Sequence, residues 1–119
     1  MIIEKDISRG DEDCCRYSIY IGHEFVGEIS VIKEKTRKKE NIYNLFSFQI
    51  EPKFRKQGYG TKLLNHIINI AKDDNIKLIA LGCSKKTIGF YNKFGFKVID
   101  NENHEISNIS SYICMQLIL

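Results

Sequence analysis

The stretch Ile50-Glu51-Pro52-Lys53-Phe54-Arg55-Lys56-Gln57-Gly58-Tyr59-Gly60-Thr61 separates two kinds of hydrophobic pattern. Upstream of it, Ile42 to Ile50 is rich in aromatic and β-branched residues, which predicts a strand. Downstream, Leu63, Leu64, Ile67, Ile68, Ile70 and Ala71 fall on one stripe between Gly60 and Lys72, with Lys62, Asn65, Asn69 and Lys72 opposite, which predicts an amphipathic helix. The stretch is therefore a strand-to-helix turn. Gly58 and Gly60 let the backbone turn tightly and approach a ligand closely. The first N–H groups of the helix have no intrahelical partners, and with the helix dipole they favour an anion. Arg55 and Lys56 add positive charge beside them, so the segment reads as a pyrophosphate cradle. Two common nucleotide motifs do not fit. The Walker motif ends in Gly-Lys-Ser/Thr where this chain has Gly60-Thr61-Lys62. The dinucleotide fingerprint needs a third glycine that is missing here.

Working outward, Cys15, Tyr17, Ile19 and Ile21 alternate with Arg16, Ser18 and Tyr20, the period of a half-buried strand. A turn at Gly22-His23-Glu24 leads into a second alternating run, Phe25, Gly27, Ile29 and Val31. On the other side, Asp73-Asp74-Asn75 ends the helix, and Leu78-Ile79-Ala80-Leu81 predicts a strand covered on both faces. Ser84 can cap a second helix running to about Phe94. Gly95 would end that helix, with a strand over Phe96 to Ile99, a polar loop from Asp100 to Asn108, and a last strand over Tyr112 to Leu119. The expected class is α+β: a mixed, mostly antiparallel sheet with a central βαβ unit, helices packed on it, and one domain spanning residues 1–119.

The composition is that of an ordinary globular protein: 119 residues, 43% hydrophobic and 28% charged. Cys14, Cys15, Cys83 and Cys114 lack the two-residue gap of a zinc site, and no metal is expected. The first residues lack the apolar run of a signal peptide, and no stretch is long and apolar enough to cross a bilayer. A cytoplasmic protein with reduced thiols and no membrane partner is expected. The segment Lys33 to Glu40 carries five positive and two negative residues, equal to the chain's net charge of +3. It reads as a solvated hairpin loop. Without interleaved aromatics to stack bases, it argues against a nucleic-acid partner. His66 reads as a surface residue on the edge of the helix's polar face, and His23 and His104 receive no role.

Arg55-x-x-Gly58-x-Gly60 resembles the acetyl-CoA signature of the GNAT superfamily of N-acetyltransferases. A second block, Thr87-Ile88-Gly89-Phe90-Tyr91-Asn92-Lys93-Phe94-Gly95-Phe96, resembles the family's later helix bearing a tyrosine followed by Gly-Phe. The blocks stand in the family's order and separation. The resemblance implies that main-chain groups of Phe48, Gln49 and Ile50 pair with the pantetheine arm of acetyl-CoA. It implies that amides of Arg55, Lys56, Gln57, Gly58, Tyr59, Gly60 and Thr61 hold the pyrophosphate. It implies that Ser84 hydrogen-bonds pantetheine, and that Tyr91 protonates the departing thiolate. A tyrosine at the end of a groove can supply such an acid. By spacing alone, Tyr91 is equally a core aromatic beside Phe90, Phe94 and Phe96.

Three departures qualify the resemblance. The family often has asparagine where Ser84 stands. Histone-acetyltransferase relatives carry a glutamate base where Asn44 stands, and asparagine cannot act as a base, which leaves Glu28, Glu51 or a water chain. Ser8 to Asp13 is too short for the two helices that the family places after its first strand, since two turns of one helix take about seven residues. The N-terminal helix pair is thus expected to be missing and the acceptor side open. An open groove suits a peptide or protein amine, a lysine or an N-terminus. The competing readings are a non-catalytic CoA-binding module and a basic nucleic-acid-binding domain. A homodimer is left open.

Overall fold

The computed structural model describes residues 1–7, 13–99 and 113–119. Seven strands among them form one sheet: β1 (Ile2–Ile7), β2 (Cys14–Ile21), β3 (Glu24–Lys35), β4 (Asn41–Ile50), β5 (Leu78–Cys83), β6 (Lys97–Val98) and β7 (Ile113–Ile118). Their order is β1-β2-β3-β4-β5-β7-β6. Every neighbouring pair is antiparallel except β4 and β5, which run parallel. Helix α1 (Tyr59–Asp73) makes the crossover between those two strands. The short helix α2 (Ile88–Asn92) follows β5. This is the mixed, mostly antiparallel sheet with a central βαβ unit that the residue patterns predict.

The core lies between the sheet and α1. Leu63, Leu64, Ile67, Ile68 and Ala71 are buried, the stripe read from their spacing. They meet Tyr17, Ile19, Ile29, Val31, Tyr43, Leu45, Ile79 and Leu81 in one cluster. A bulge modifies the expected alternation. Ile19 pairs with Gly27 but Tyr20 pairs with Phe25, so Val26 is the extra residue and is fully buried. The strand β5 is also less enclosed than its apolar run predicts. Ile79 and Leu81 are buried beneath the helices, while Leu78 and Ala80, on the opposite face, are only half-buried.

Boundaries shift modestly. The first helix begins at Tyr59 rather than Gly60. The strand expected over Phe96 to Ile99 reduces to Lys97–Val98, because Phe96 turns into the core against Tyr91. Ser84 precedes a 3-10 turn, Lys85–Thr87, and its side chain makes no capping hydrogen bond. Instead its carbonyl accepts from both the amide and the hydroxyl of Thr87, each at 3.1 Å. The loop Asp100 to Asn108, with His104, lies outside the described residues, as does most of the segment joining β1 to β2.

At the far end of the sheet the basic segment is a hairpin turn. Thr36 donates its amide to the Glu40 carbonyl at 2.8 Å, and Arg37, Lys38 and Lys39 are exposed. Asp74, at the C-terminal end of α1, ties this end together by accepting from Lys33 Nζ at 2.9 Å and from the Tyr43 hydroxyl at 3.4 Å. His66 departs from the surface reading, since it is half-buried with its ring edge-on to Tyr17.

Candidate functional site

The parallel pairing of β4 with β5 runs from Ile42↔Leu78 to Leu45↔Leu81 and stops. Both strands continue, β4 to Ile50 on β3 and β5 to Cys83 on β7, but not against each other. A second bulge causes the parting. Glu28 pairs with Gln49 while Ser30 pairs with Phe46, and Ser47 takes a positive φ of 52° to absorb the extra residue. The parted ends enclose a cavity of about 310 Å³ lined by Leu45, Phe48, Leu81, Cys83, Thr87 and Tyr91, among others. Backbone edges that would be paired in a continuous sheet face this gap.

Gly58 N-caps α1 with φ +87°, a conformation that glycine adopts without strain. Lys56, two residues earlier, also has a positive φ, of 64°. Lys62 is the first residue of α1 whose amide reaches an intrahelical carbonyl, that of Gly58 at 3.1 Å. Among the described residues, the amides from Lys56 to Thr61 donate to no other protein group. These free donors, with the helix dipole behind them, are of the kind that favours an anion, and they stand on the connection that follows β4.

The candidate residues are not all used alike. Arg55 turns back, donating from Nε to the Ile50 carbonyl at 2.9 Å, and Gln57 donates to the Lys53 carbonyl at 3.0 Å. The Ile50 main chain is thus engaged by Gly27 on β3 and by Arg55, so of the three β4 residues it is the one least free for a ligand. Gln49 points to Glu28, to which it donates at 3.1 Å, and Glu28 also lies 3.6 Å from Arg16 Nε. Gly60 does not face the anion site with its missing side chain. A Cβ there would lie 3.6–3.7 Å from Phe48, Ile50 and Phe90, within the apolar packing. Ser84 and Glu51 are exposed.

Tyr91 is nine-tenths buried, with Phe48, Phe90 and Phe96 around its ring at centroid distances of 6.4, 5.2 and 5.8 Å. It is therefore a core aromatic and a wall of the cleft at once. Among the described residues its hydroxyl has no hydrogen-bond partner. Burial, and secondarily the nearby Cys83, push its pKa up to about 12. The phenol stays protonated at neutral pH and so keeps a proton to donate. Thr87 and Cys83 also line the cleft and were not singled out from the sequence. Their signal is positional: Cys83 ends a buried strand, and Thr87 opens the helix that carries Tyr91.

Parallel strands that part around a cleft with a buried tyrosine in its wall, and a crossover helix that begins with free amides, belong to a fold that matches known proteins. Residues 2–96 match the acetyltransferase (GNAT) family, and the chain belongs to that family. It is 31% identical over 88 residues to N-alpha-acetyltransferase 50 of Danio rerio, covering 71% of this chain and 52% of that protein. The chain thus spans about half the length of that relative. Among solved structures, Arabidopsis thaliana Naa50 in complex with the bisubstrate analogue CoA-Ac-MVNAL superimposes with a TM-score of 0.73. That match is 24% identical and covers 87% of this chain and 72% of the other. An IAA acetyltransferase from Bacillus cereus has a TM-score of 0.75 at 16% identity, covering 99% of both chains.

Proposed function

We propose that this chain is an N-acetyltransferase of the cytoplasm, a single domain over residues 1–119, that transfers acetyl from acetyl-CoA to the amine of a peptide or protein. The observation that carries the reading is the parting of β4 and β5 beyond Leu45↔Leu81, on the two strands that α1 and its free N-terminal amides connect. The pantetheine arm lies in the gap and completes the interrupted ladder through main-chain groups of Phe48 and Gln49. The pyrophosphate rests on the amides from Lys56 to Thr61, with Arg55 alongside.

The acceptor nitrogen attacks the thioester carbonyl, the C–S bond breaks, and the electron pair goes to sulfur. Tyr91, held neutral, donates to that sulfur. A phenol near 12 is a weaker acid than an ordinary alkyl thiol near about 8.5, so Tyr91 acts first as a hydrogen-bond donor that stabilises the thiolate. The proton released by the amine then makes the thiol neutral. The name of the Danio rerio relative supports an α-amine as acceptor over a lysine side chain.

Thermal unfolding with acetyl-CoA tests the reading at its root. Binding to the folded chain alone should stabilise it by about 2.7 kcal/mol at a hundredfold excess over Kd. An unmoved Tm at millimolar acetyl-CoA overturns it. Thiol release in the presence of an amine then separates an enzyme from a non-catalytic CoA-binding module.

A further inference from the structure

We propose that Cys83 is a site of reversible modification by coenzyme A itself, forming a Cys83–S–S–CoA mixed disulfide that locks the cleft shut. The inference rests on the reading of the cleft as the acetyl-CoA site. Cys83 is the last residue of β5, beyond the point where that strand leaves β4, and it lines the cavity together with Tyr91 and Thr87. It is half-buried and free, with its sulfur 3.6 Å from Met115 Sδ. A second feature points a ligand to the same place. Tyr91 lines this cavity, is nine-tenths buried, and has a hydroxyl without a partner among the described residues. A hydroxyl placed to donate to the sulfur of a bound CoA brings that sulfur beside Cys83.

The chemistry is thiol–disulfide exchange. The Cys83 thiolate attacks one sulfur of coenzyme A disulfide, the Cys83–S bond forms, the CoA S–S bond breaks, and one CoA thiolate leaves and takes up a proton. The disulfide is the oxidant and no other reagent is needed. The bound CoA moiety keeps its pyrophosphate on the amides that begin α1, so the modified protein carries its own competitive ligand, tethered. A small thiol reverses the step by the same exchange. The remaining cysteines have no such reason to react with this reagent. Cys15 is buried, and Cys14 and Cys114 do not line this cavity.

The test uses the full chain freed of reductant and incubated with coenzyme A disulfide, followed by intact mass and peptide mapping. One adduct is expected, equal to CoA less a hydrogen, located on Cys83, removed by dithiothreitol and slowed by excess acetyl-CoA. Acetyl-transfer activity should fall in step with the modified fraction, and Cys83→Ser should keep its own starting rate under the same treatment. Labelling by coenzyme A disulfide should outpace labelling by glutathione disulfide at least about tenfold, because only the former is held in the cleft. Equal rates with the two disulfides, no protection by acetyl-CoA, or adducts spread over Cys14 and Cys114 each overturn the proposal. These outcomes are read on the wild-type chain and do not depend on the variant folding. If acetyl-CoA raises Tm and Cys83 stays unmodified, the proposal falls and the cofactor reading stands. If acetyl-CoA has no effect on Tm, both fall.

Discussion

The ring of Tyr91 closes an aromatic group with Phe48, Phe90 and Phe96, and among the described residues its hydroxyl has no partner, which leaves it for the chemistry proposed above. Tyr91→Phe keeps the packing and removes only the donor. Acetyl-CoA affinity should stay nearly constant while turnover falls by about 10²-fold, the usual size of a lost donor to charge that develops in the transition state. Unchanged turnover would assign stabilisation of the thiolate to water or another group. The same tyrosine makes a pH prediction. Its neutral form is favoured by the fold, with a pKa raised from 10.0 to about 12. The unfolded chain therefore releases this proton first as pH rises. The contribution is complete below pH 10 and is lost as pH climbs through about 12. Tyr17 and Tyr43 are shifted in the same direction, chiefly by burial. In denaturant titrations between pH 9 and pH 12, the curve for Tyr91→Phe should fall less steeply than that of the wild type. Parallel curves would mean that Tyr91 is not held neutral by the fold.

Among the elements, β3 and β4 set the site through two bulges, and only part of this was legible in the sequence. The alternation Phe25, Gly27, Ile29, Val31 is read correctly from Gly27 onward. It misses Val26, because an inserted residue reverses the phase without altering composition. The parting of β4 from β5 likewise has no local signature, since Phe46, Ser47 and Phe48 read as ordinary strand. Only the pairing partners reveal it. Gly27 sits where a side chain has no room. A Cβ there would lie 2.5 Å from Ile50 Cδ1 and 2.6 Å from the Gln49 carbonyl oxygen. The side chain could move, but the carbonyl belongs to the β3–β4 ladder and cannot. Gly27→Ala should therefore destabilise the fold by about 1–3 kcal/mol, as overpacking does, and weaken acetyl-CoA binding by displacing the end of β4. Calorimetric unfolding with and without acetyl-CoA reads both effects, and a Tm within a degree of wild type would mean that the strands separate there freely.

At the scale of the whole molecule the division of labour runs along the sheet. The basic hairpin at the start of β4 lies about 20 Å along the strand from the cleft, which separates that charge from it. The strands along the chain and the helix stripe were readable because period and apolar spacing are local. The short α2, the two-residue β6 and the free Ser84 were not, because tertiary packing of Phe96 and the turn of Thr87 decide them. The largest consequence concerns the acceptor. Both helices lie on the face that carries Leu45 and Leu81, and among the described residues no helix covers the opposite face, where Phe46 remains 40% exposed. Small ligands are usually held in concave pockets that bury most of their surface, whereas an extended chain binds along an open edge. An N-terminal peptide amine should therefore be a better acceptor than an aminoglycoside, a polyamine or a free amino acid. In a panel followed by thiol release, kcat/KM should favour peptides by at least about tenfold, a difference of about 1.4 kcal/mol in transition-state binding. Peptides with a free α-amine should also outperform N-blocked, lysine-containing ones. A clear preference for a small amine, by protein shown to be monomeric at the assay concentration, would mean that the acceptor is enclosed after all and that the open face has no part in its recognition.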